Sequence, residues 1–223
     1  LAFFMDKKEA FTFIGDLHRI PVNMYWWCRL DSQTILPGEE EKFTNQSFRD
    51  WIDRATVLQA GELTSWPRLI DGDDLLLHWI QETKVRQKKV EGHFPGASEK
   101  TLAKLKLLGA DGDHEAINGE EVMRRLMHGY MVSLRHSSIR PDLPDILADL
   151  TKRGLVVYDY LMFTTDGSTP AFYEDGVITP LIKIALDHGV PAIDAYLMAT
   201  LNPAKHFQLD HIHGLIGTGR VAD

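Results

Sequence analysis

Two stretches decide the fold, KKVEGHFPG at residues 88–96 and LGADGDHE at residues 108–115. Each has the pattern of a short strand that ends in a histidine beside glycines, and residues 98–107 between them have the pattern of an amphipathic helix. Together they predict a βαβ unit with His93 and His114 at the ends of its strands. In a parallel barrel, side chains at the carboxyl ends of neighbouring strands converge, so both histidines could reach one metal ion. The alternative for either histidine alone is a hydrogen-bonded structural role.

Strand and helix patterns alternate along the rest of the chain. Further strands are predicted at residues 21–28, 56–63, 129–135 and 155–165. Further helices are predicted at residues 7–19, 44–55 (capped by Asn45 or Ser47), 71–83, 118–128 (capped by Asn118), 141–153, 176–188 and 191–201. Short connections favour a parallel sheet, either three quarters of a (β/α)8 barrel or an open doubly wound sheet. No glycine-rich phosphate-binding motif follows any strand, which weakens the second alternative.

The composition excludes several classes of partner. The 223 residues carry a net charge of -8 without a run of Lys and Arg, so a nucleic-acid partner is not expected. The sequence has no run of about 18 apolar residues, so it predicts no membrane span. Cys28 is the single cysteine, which suits a reducing compartment and makes the cytoplasm the default location. A homo-oligomer remains open.

Four side chains with metal-binding chemistry end four different predicted strands: Glu62, His93, His114 and Asp166. Carboxylates can bridge two ions, and neutral imidazoles hold an ion without cancelling its charge. A bound ion lowers the pKa of water toward about 7, and a nearby carboxylate can then move the proton. This pattern predicts a hydrolytic metal site.

Several strings resemble those of the adenine deaminases, a family within the amidohydrolase superfamily. The closest are VEGHFPG (90–96) and GADGDHE (109–115); AGE (60–62), TD (165–166), MATLNPAKHF (198–207) and the closing GLIGTGRVAD (214–223) add to them. The resemblance extends from about Pro21 to Asp223. It implies an α/β fold, a partial (β/α)8 TIM barrel of the metal-dependent amidohydrolase type with roughly strands 3 to 8, over residues 1–208. Residues 209–223 would begin the return into a flanking sandwich domain.

The resemblance also implies a reaction and roles for residues. Two divalent ions, Mn, Fe or Zn, would support hydrolysis of adenine, or of a purine-like small molecule, to hypoxanthine and ammonia. Glu62 would bridge the ions, His93 and His114 would hold one, and Asp166 would bind the other and move the proton. Arg135 and Ser137 would contact the substrate. Asp113 and Glu115 flank a ligand and could instead support it.

The chain departs from the family pattern at three places. No H-x-H pair precedes Pro21, so the first two barrel strands are expected before Leu1, and His211-Ile212-His213 is interpreted as a coincidence in a loop. Asp166-Gly167 replaces two successive aspartates, and Cys28-Arg29-Leu30-Asp31 replaces a small-residue loop near the expected pocket. These last two departures keep open a different heterocycle or cyclic amide as substrate. A catalytically silent barrel is the remaining alternative.

Overall fold

Within the part of the chain that the structure describes, six parallel strands form one sheet in the order of the sequence. The computed structural model describes residues 5–32, 37–154 and 157–221. The strands are β1 (Trp26–Cys28), β2 (Val57–Leu63), β3 (Lys89–Gly92), β4 (Gly112–Asp113), β5 (Met131–Arg135) and β6 (Leu161–Thr164). A doubly wound sheet reverses its strand order at a switch point, whereas this sheet does not. The structure therefore confirms the partial barrel and excludes the open doubly wound alternative.

Helices connect the strands, as the alternating pattern predicted. The helices are α1 (Lys7–Asp16), α2 (Glu39–Lys42), α3 (Asn45–Ile52), α4 (Trp66–Ile70), α5 (Asp74–Val85), α6 (Glu99–Leu107), α7 (Gly119–Met127), α8 (Leu143–Lys152), α9 (Thr179–Asp187), α10 (Ala192–Ala199) and α11 (Leu201–His206). Right-handed crossovers between parallel neighbours place such helices on the outer face of the sheet. Within the described residues, no helix has the length and apolarity needed to cross a membrane.

Helix starts follow the capping rules. The side chain of Ser98 accepts from Thr101 N at 3.2 Å, and that of Asn118 accepts from Glu121 N at 2.9 Å, which confirms Asn118 as a cap. The cap of α3 is Thr44, not Asn45 or Ser47 as predicted. Asn45 Oδ1 instead accepts from Trp79 Nε1 at 2.7 Å, a contact from α5 that no local pattern reveals.

Several predicted boundaries were wrong. β1 begins at Trp26 and not at Pro21, because backbone pairing with β2 begins only there. β6 begins at Leu161 and not at Leu155, and Leu155 itself lies outside the described residues. The predicted helix 191–201 is two helices, α10 and α11, and the helix predicted at 176–188 begins at Thr179, with a proline in its first turn. The short helix α4 was not predicted.

The core lies between the sheet and the helices. Val90, Val132 and Leu161 on the strands and Leu102 and Leu105 on α6 are fully buried. Removing a side chain of this size from water contributes about 2 kcal/mol to stability. Packing of these apolar side chains therefore stabilises the sheet against the helices. The polar residues lie instead at the carboxyl edge of the sheet.

Helix α11 closes the opposite, amino end of the sheet. Asn202 Nδ2 donates to the carbonyl oxygens of Tyr158 and Leu161, at 2.9 and 2.8 Å, where β6 begins. Beyond α11, Gln208 Nε2 donates to the carbonyl of Gln87, just before β3. Residues 209–221 form turns, with no helix or strand among them, and their assignment to a flanking domain stays a prediction.

Candidate metal centre

The sheet brings the predicted ligands to one edge. Glu62 is the penultimate residue of β2, His93 and His114 directly follow β3 and β4, and Asp166 lies two residues beyond β6. Because all six strands are parallel, these positions share the carboxyl edge of the sheet.

Two overlapping groups of possible ligand atoms lie at this edge. His93 Nδ1 lies 3.4 Å from His114 Nε2 and 3.7 Å from Glu62 Oε2. One group is Glu62, His93 and His114, the other is His114, Glu115 and Asp166, and within each group the ligand atoms lie within 4.8 Å of one another. The structure thus brings together all four predicted ligands and adds Glu115. That they bind a metal stays a prediction.

Glu91 orients His114, and sequence reasoning assigned it no role. Its Oε1 lies 3.1 Å from His114 Nδ1, which leaves Nε2 directed at the other ligand atoms. Its Oε2 is buried and has no hydrogen-bond partner within the described residues. Gly112 makes room for it, because a Cβ there would lie 2.4 Å from Oε2. A carboxylate behind a histidine in this way is typical of metal sites, where it sets the tautomer.

A sequence signal for Glu91 existed. Glu91 lies in β3 two residues before His93, which directly follows the strand, and the two-residue period of a strand predicts both side chains on the same face.

The pKa values reflect an acidic, largely buried cluster of side chains. Burial alone would lower the pKa of His114, but the hydrogen bond with Glu91 and the neighbouring acids raise it to about 9. Burial raises the pKa of Glu91. Burial also opposes ionisation of Asp166, but the Gly167 N–H, His114 and Arg135 hold its pKa below the ordinary value. The cluster therefore favours cations, and Asp166 is ionised.

Asp113 supports the backbone and belongs to neither ligand group. Its carboxylate accepts from Phe94 N at 2.8 Å and from the guanidinium of Arg125, and both Asp113 and Arg125 are fully buried. Arg125 also donates to the carbonyl of Phe94 at 2.9 Å. The pair joins α7 to the turn after β3. Of the two flanking acids, Asp113 therefore has a supporting position and Glu115 lies in the cluster.

The two predicted substrate contacts are buried at the same edge. Arg135 ends β5, is 2% exposed, and contacts three carboxylates, those of Glu115, Asp166 and Asp142. Burial alone would lower the pKa of Arg135, but these acids raise it. Ser137 Oγ accepts from Arg140 N at 3.0 Å. Their roles in substrate contact stay predictions, and the structure shows that Arg135 braces the acids of the cluster.

Arg29 is a second cation at the site. It follows β1, and its Nη1 lies 3.5 Å from Glu62 Oε2. Sequence reasoning placed its loop near the pocket but gave Arg29 no role, because only the pairing of β1 with β2 brings the two side chains together.

The H-x-H string near the end of the chain lies outside this cluster. His213 Nε2 contacts the hydroxyl of Tyr25 at 2.8 Å, and neither His211 nor His213 belongs to a ligand group within the described residues.

Comparison with known proteins identifies the family. Residues 13–223 match the family described as "Amidohydrolase family". The chain belongs to the amidohydrolase family. It is 54% identical to the Bacillus cereus protein named "Putative adenine deaminase", over 100% of the chain and 38% of that protein. It is also 54% identical to "Putative adenine deaminase YerA" of Bacillus subtilis, over 97% of the chain and 37% of that protein. The chain thus spans well under half the length of these curated relatives.

A solved structure shares the fold. N-acetylglucosamine-6-phosphate deacetylase from Pasteurella multocida superposes with a TM-score of 0.63 at 15% identity, over 97% of this chain and 66% of that one. At this identity the likeness supports the barrel architecture alone. The family match, the strand order and the edge cluster agree on a partial amidohydrolase barrel.

Proposed function

We propose that this chain forms part of a metal-dependent hydrolytic deaminase that converts adenine, or a related aminopurine, to the corresponding oxopurine and ammonia. The observation that carries the proposal is the convergence of Glu62, His93, His114 and Asp166 from four strands into overlapping ligand groups. The names of relatives at 54% identity support adenine as the first substrate to test.

The donor atoms fit divalent ions. Two imidazoles and three carboxylates converge, and Glu91 behind His114 keeps the ring oriented with Nδ1 as donor. Mixed nitrogen and oxygen donors suit manganese, iron and zinc, and the complete protein would hold two ions. A bound divalent ion makes water acidic enough to lose a proton near neutral pH.

The chain's own residues would direct the proton. Asp166 is ionised and one-third exposed at its side chain, so it can accept a proton from the attacking water at its carboxylate. It would then pass that proton to the exocyclic amine, and the C–N bond would break to release ammonia. Glu62 offers two oxygens and would bridge the ions. Glu115 is held by Arg135 and would add negative charge beside His93 and His114.

The proposed setting is the cytoplasm, in purine metabolism. The cysteine count supports this, because Cys28 is the single cysteine and forms no disulfide within the chain, which suits a reducing compartment. The proposed partner is a small molecule.

The test is ammonia release from adenine by the full-length protein loaded with manganese, iron or zinc. We expect release by the wild type and a loss of more than about 100-fold in kcat for Asp166→Asn, since general acid–base catalysis contributes about that much. Asp187→Asn, a charge removal at the exposed end of α9, is the matched control. Metal-loaded protein that releases no ammonia would exclude adenine, and protein that takes up no metal would favour a silent barrel.

A further inference from the structure

Arg29 points from the end of β1 into the candidate metal centre. Its Nη1 lies 3.5 Å from Glu62 Oε2, and its Nε donates to the carbonyl of Asp31 at 3.2 Å. The second contact anchors the inner part of the guanidinium and aims its outer nitrogens at the cluster. The side chain is 21% exposed, so the cation is accessible from solvent.

The two arginines of the site differ in how much of their charge is already paired. Arg135 is 2% exposed and contacts three carboxylates. Arg29 has one carboxylate neighbour, Glu62, and its Nη2 has no partner within the described residues.

The carboxylate of Asp31, two residues after Arg29, forms its hydrogen bonds elsewhere. It accepts from Ser65 N at 2.7 Å and from the hydroxyl of Thr64, in the segment that follows β2. Asp31 is 2% exposed, so a rearrangement toward Arg29 would break two buried hydrogen bonds. Of the two arginines, Arg29 therefore has the guanidinium that can still bind a further anionic group.

Ion binding would reduce the hold of Glu62 on Arg29. When Glu62 is shared with divalent cations, its carboxylate attracts the guanidinium of Arg29 less strongly. The cations also repel that guanidinium. An anionic group beside Arg29 would relieve that repulsion. The planar fork of a guanidinium matches the paired oxygens of a carboxylate or phosphate.

We propose that Arg29 binds an oxyanion group of the substrate, so that the preferred substrate is an amino-bearing heterocycle with a carboxylate or phosphate substituent. This inference rests on the proposed function, since it names the substrate class of the same centre. It makes Arg29 a specificity-determining residue at the end of β1.

A charge-balancing role is the competing explanation, and it predicts different behaviour. If Arg29 only neutralises Glu62, then Arg29→Met removes a cation from beside the ligands and should tighten metal binding, with no change in ligand preference. If Arg29 binds an oxyanion, the variant should lose the preference for anionic ligands.

The experiment is calorimetric titration of the metal-loaded full-length protein with adenine, 9-(carboxymethyl)adenine and 9-(phosphonomethyl)adenine. We expect at least one anionic ligand to bind roughly tenfold or more tightly than adenine, the usual size of a charge-assisted pair. The tighter of the two identifies carboxylate or phosphate as the group. Arg29→Met should weaken binding of the preferred anionic ligand by more than it weakens binding of adenine and so remove the preference, and Arg29→Lys should retain part of it.

The control is Arg68→Met, which removes an arginine from α4 whose partner is Asp73, outside the cluster. Circular dichroism and metal content establish that each variant is folded and loaded. Equal binding of all three ligands by the wild type, or a preference that survives Arg29→Met, would overturn the proposal. Binding does not require turnover, so absence of ammonia from adenine would count against the proposed reaction while leaving the role of Arg29 decided by the titration.

Discussion

Two buried histidines, at opposite ends of the same sheet, have opposite environments. His114 lies at the carboxyl edge and is 7% exposed; His206 ends α11 beneath the amino edge and is 8% exposed. The pKa of His114 is raised to about 9, because hydrogen bonding to Glu91 and the nearby acids outweigh burial. The pKa of His206 is lowered to about 4, mainly by burial and further by Lys89. Burial alone therefore does not distinguish the two histidines, whereas the surrounding charge does.

The comparison extends to the two ends of the barrel. The carboxyl edge concentrates Glu62, Glu91, Glu115 and Asp166 and would attract cations. Under the amino edge, His206 Nε2 is buried with no hydrogen-bond partner within the described residues, and the ring packs edge-on against Phe207 at 4.8 Å. The carboxyl edge is therefore rich in acidic side chains, and α11 covers the amino edge.

The largest effect is expected from replacing a candidate ligand at the carboxyl edge. Glu62→Gln or His93→Ala should weaken metal binding by more than about 100-fold, since even residues behind the ligands commonly contribute tenfold to 100-fold. His206→Ala is the matched control, a buried histidine whose loss should leave metal content unchanged. Elemental analysis after dialysis measures this. Unchanged metal content in both ligand variants would contradict the ligand assignment.

The next effect tests the amino edge through pH. The folded pKa of His206, about 4, lies below the ordinary 6.5, so the folded chain keeps the imidazole neutral. Between these values the unfolded chain binds a proton that the folded chain does not. The free energy of unfolding is therefore unaffected by this group above pH 6.5. It decreases as the pH falls toward 4, by up to about 3 kcal/mol at 1.36 kcal/mol per pKa unit.

Urea unfolding from pH 7 to pH 4.5 measures this dependence. His206→Gln should flatten the decline of the free energy of unfolding relative to the wild type. His18→Gln, which removes an exposed histidine in the turn after α1, is the control and should not. The same pH dependence in wild type and His206→Gln would show that burial of His206 does not carry this effect.

The smallest effect is expected from changing the carboxylate that contacts His114. Glu91→Gln keeps the volume and an acceptor oxygen but removes the negative charge behind the ring, so metal affinity should fall by about tenfold. Competition with a chelator measures the affinity, and Glu99→Gln, on the exposed first turn of α6, is the control. A lower melting temperature with unchanged metal affinity would assign Glu91 to folding alone.

Much of the architecture was predictable from local patterns. Alternating strands and helices, the βαβ unit around His93 and His114, and the cap at Asn118 are encoded over short spans. The first residues of β1 and β6, Trp26 and Leu161, were not predictable in this way, because a strand begins where pairing with its neighbour begins. The cap at Thr44 was missed because Trp79, distant in sequence, engages the side chain of Asn45.

For the site, the sequence by itself determined which residues end the strands: Glu62, His93, His114 and Asp166 follow from periodicity and motif. Only the tertiary structure decided how they are supported, with Glu91 behind His114, Arg135 among three acids and Arg29 beside Glu62. The reason is physical. Periodicity reports the face and the end of an element on which a side chain lies, whereas partners 20 or more residues apart meet only after strand order and register bring their elements together.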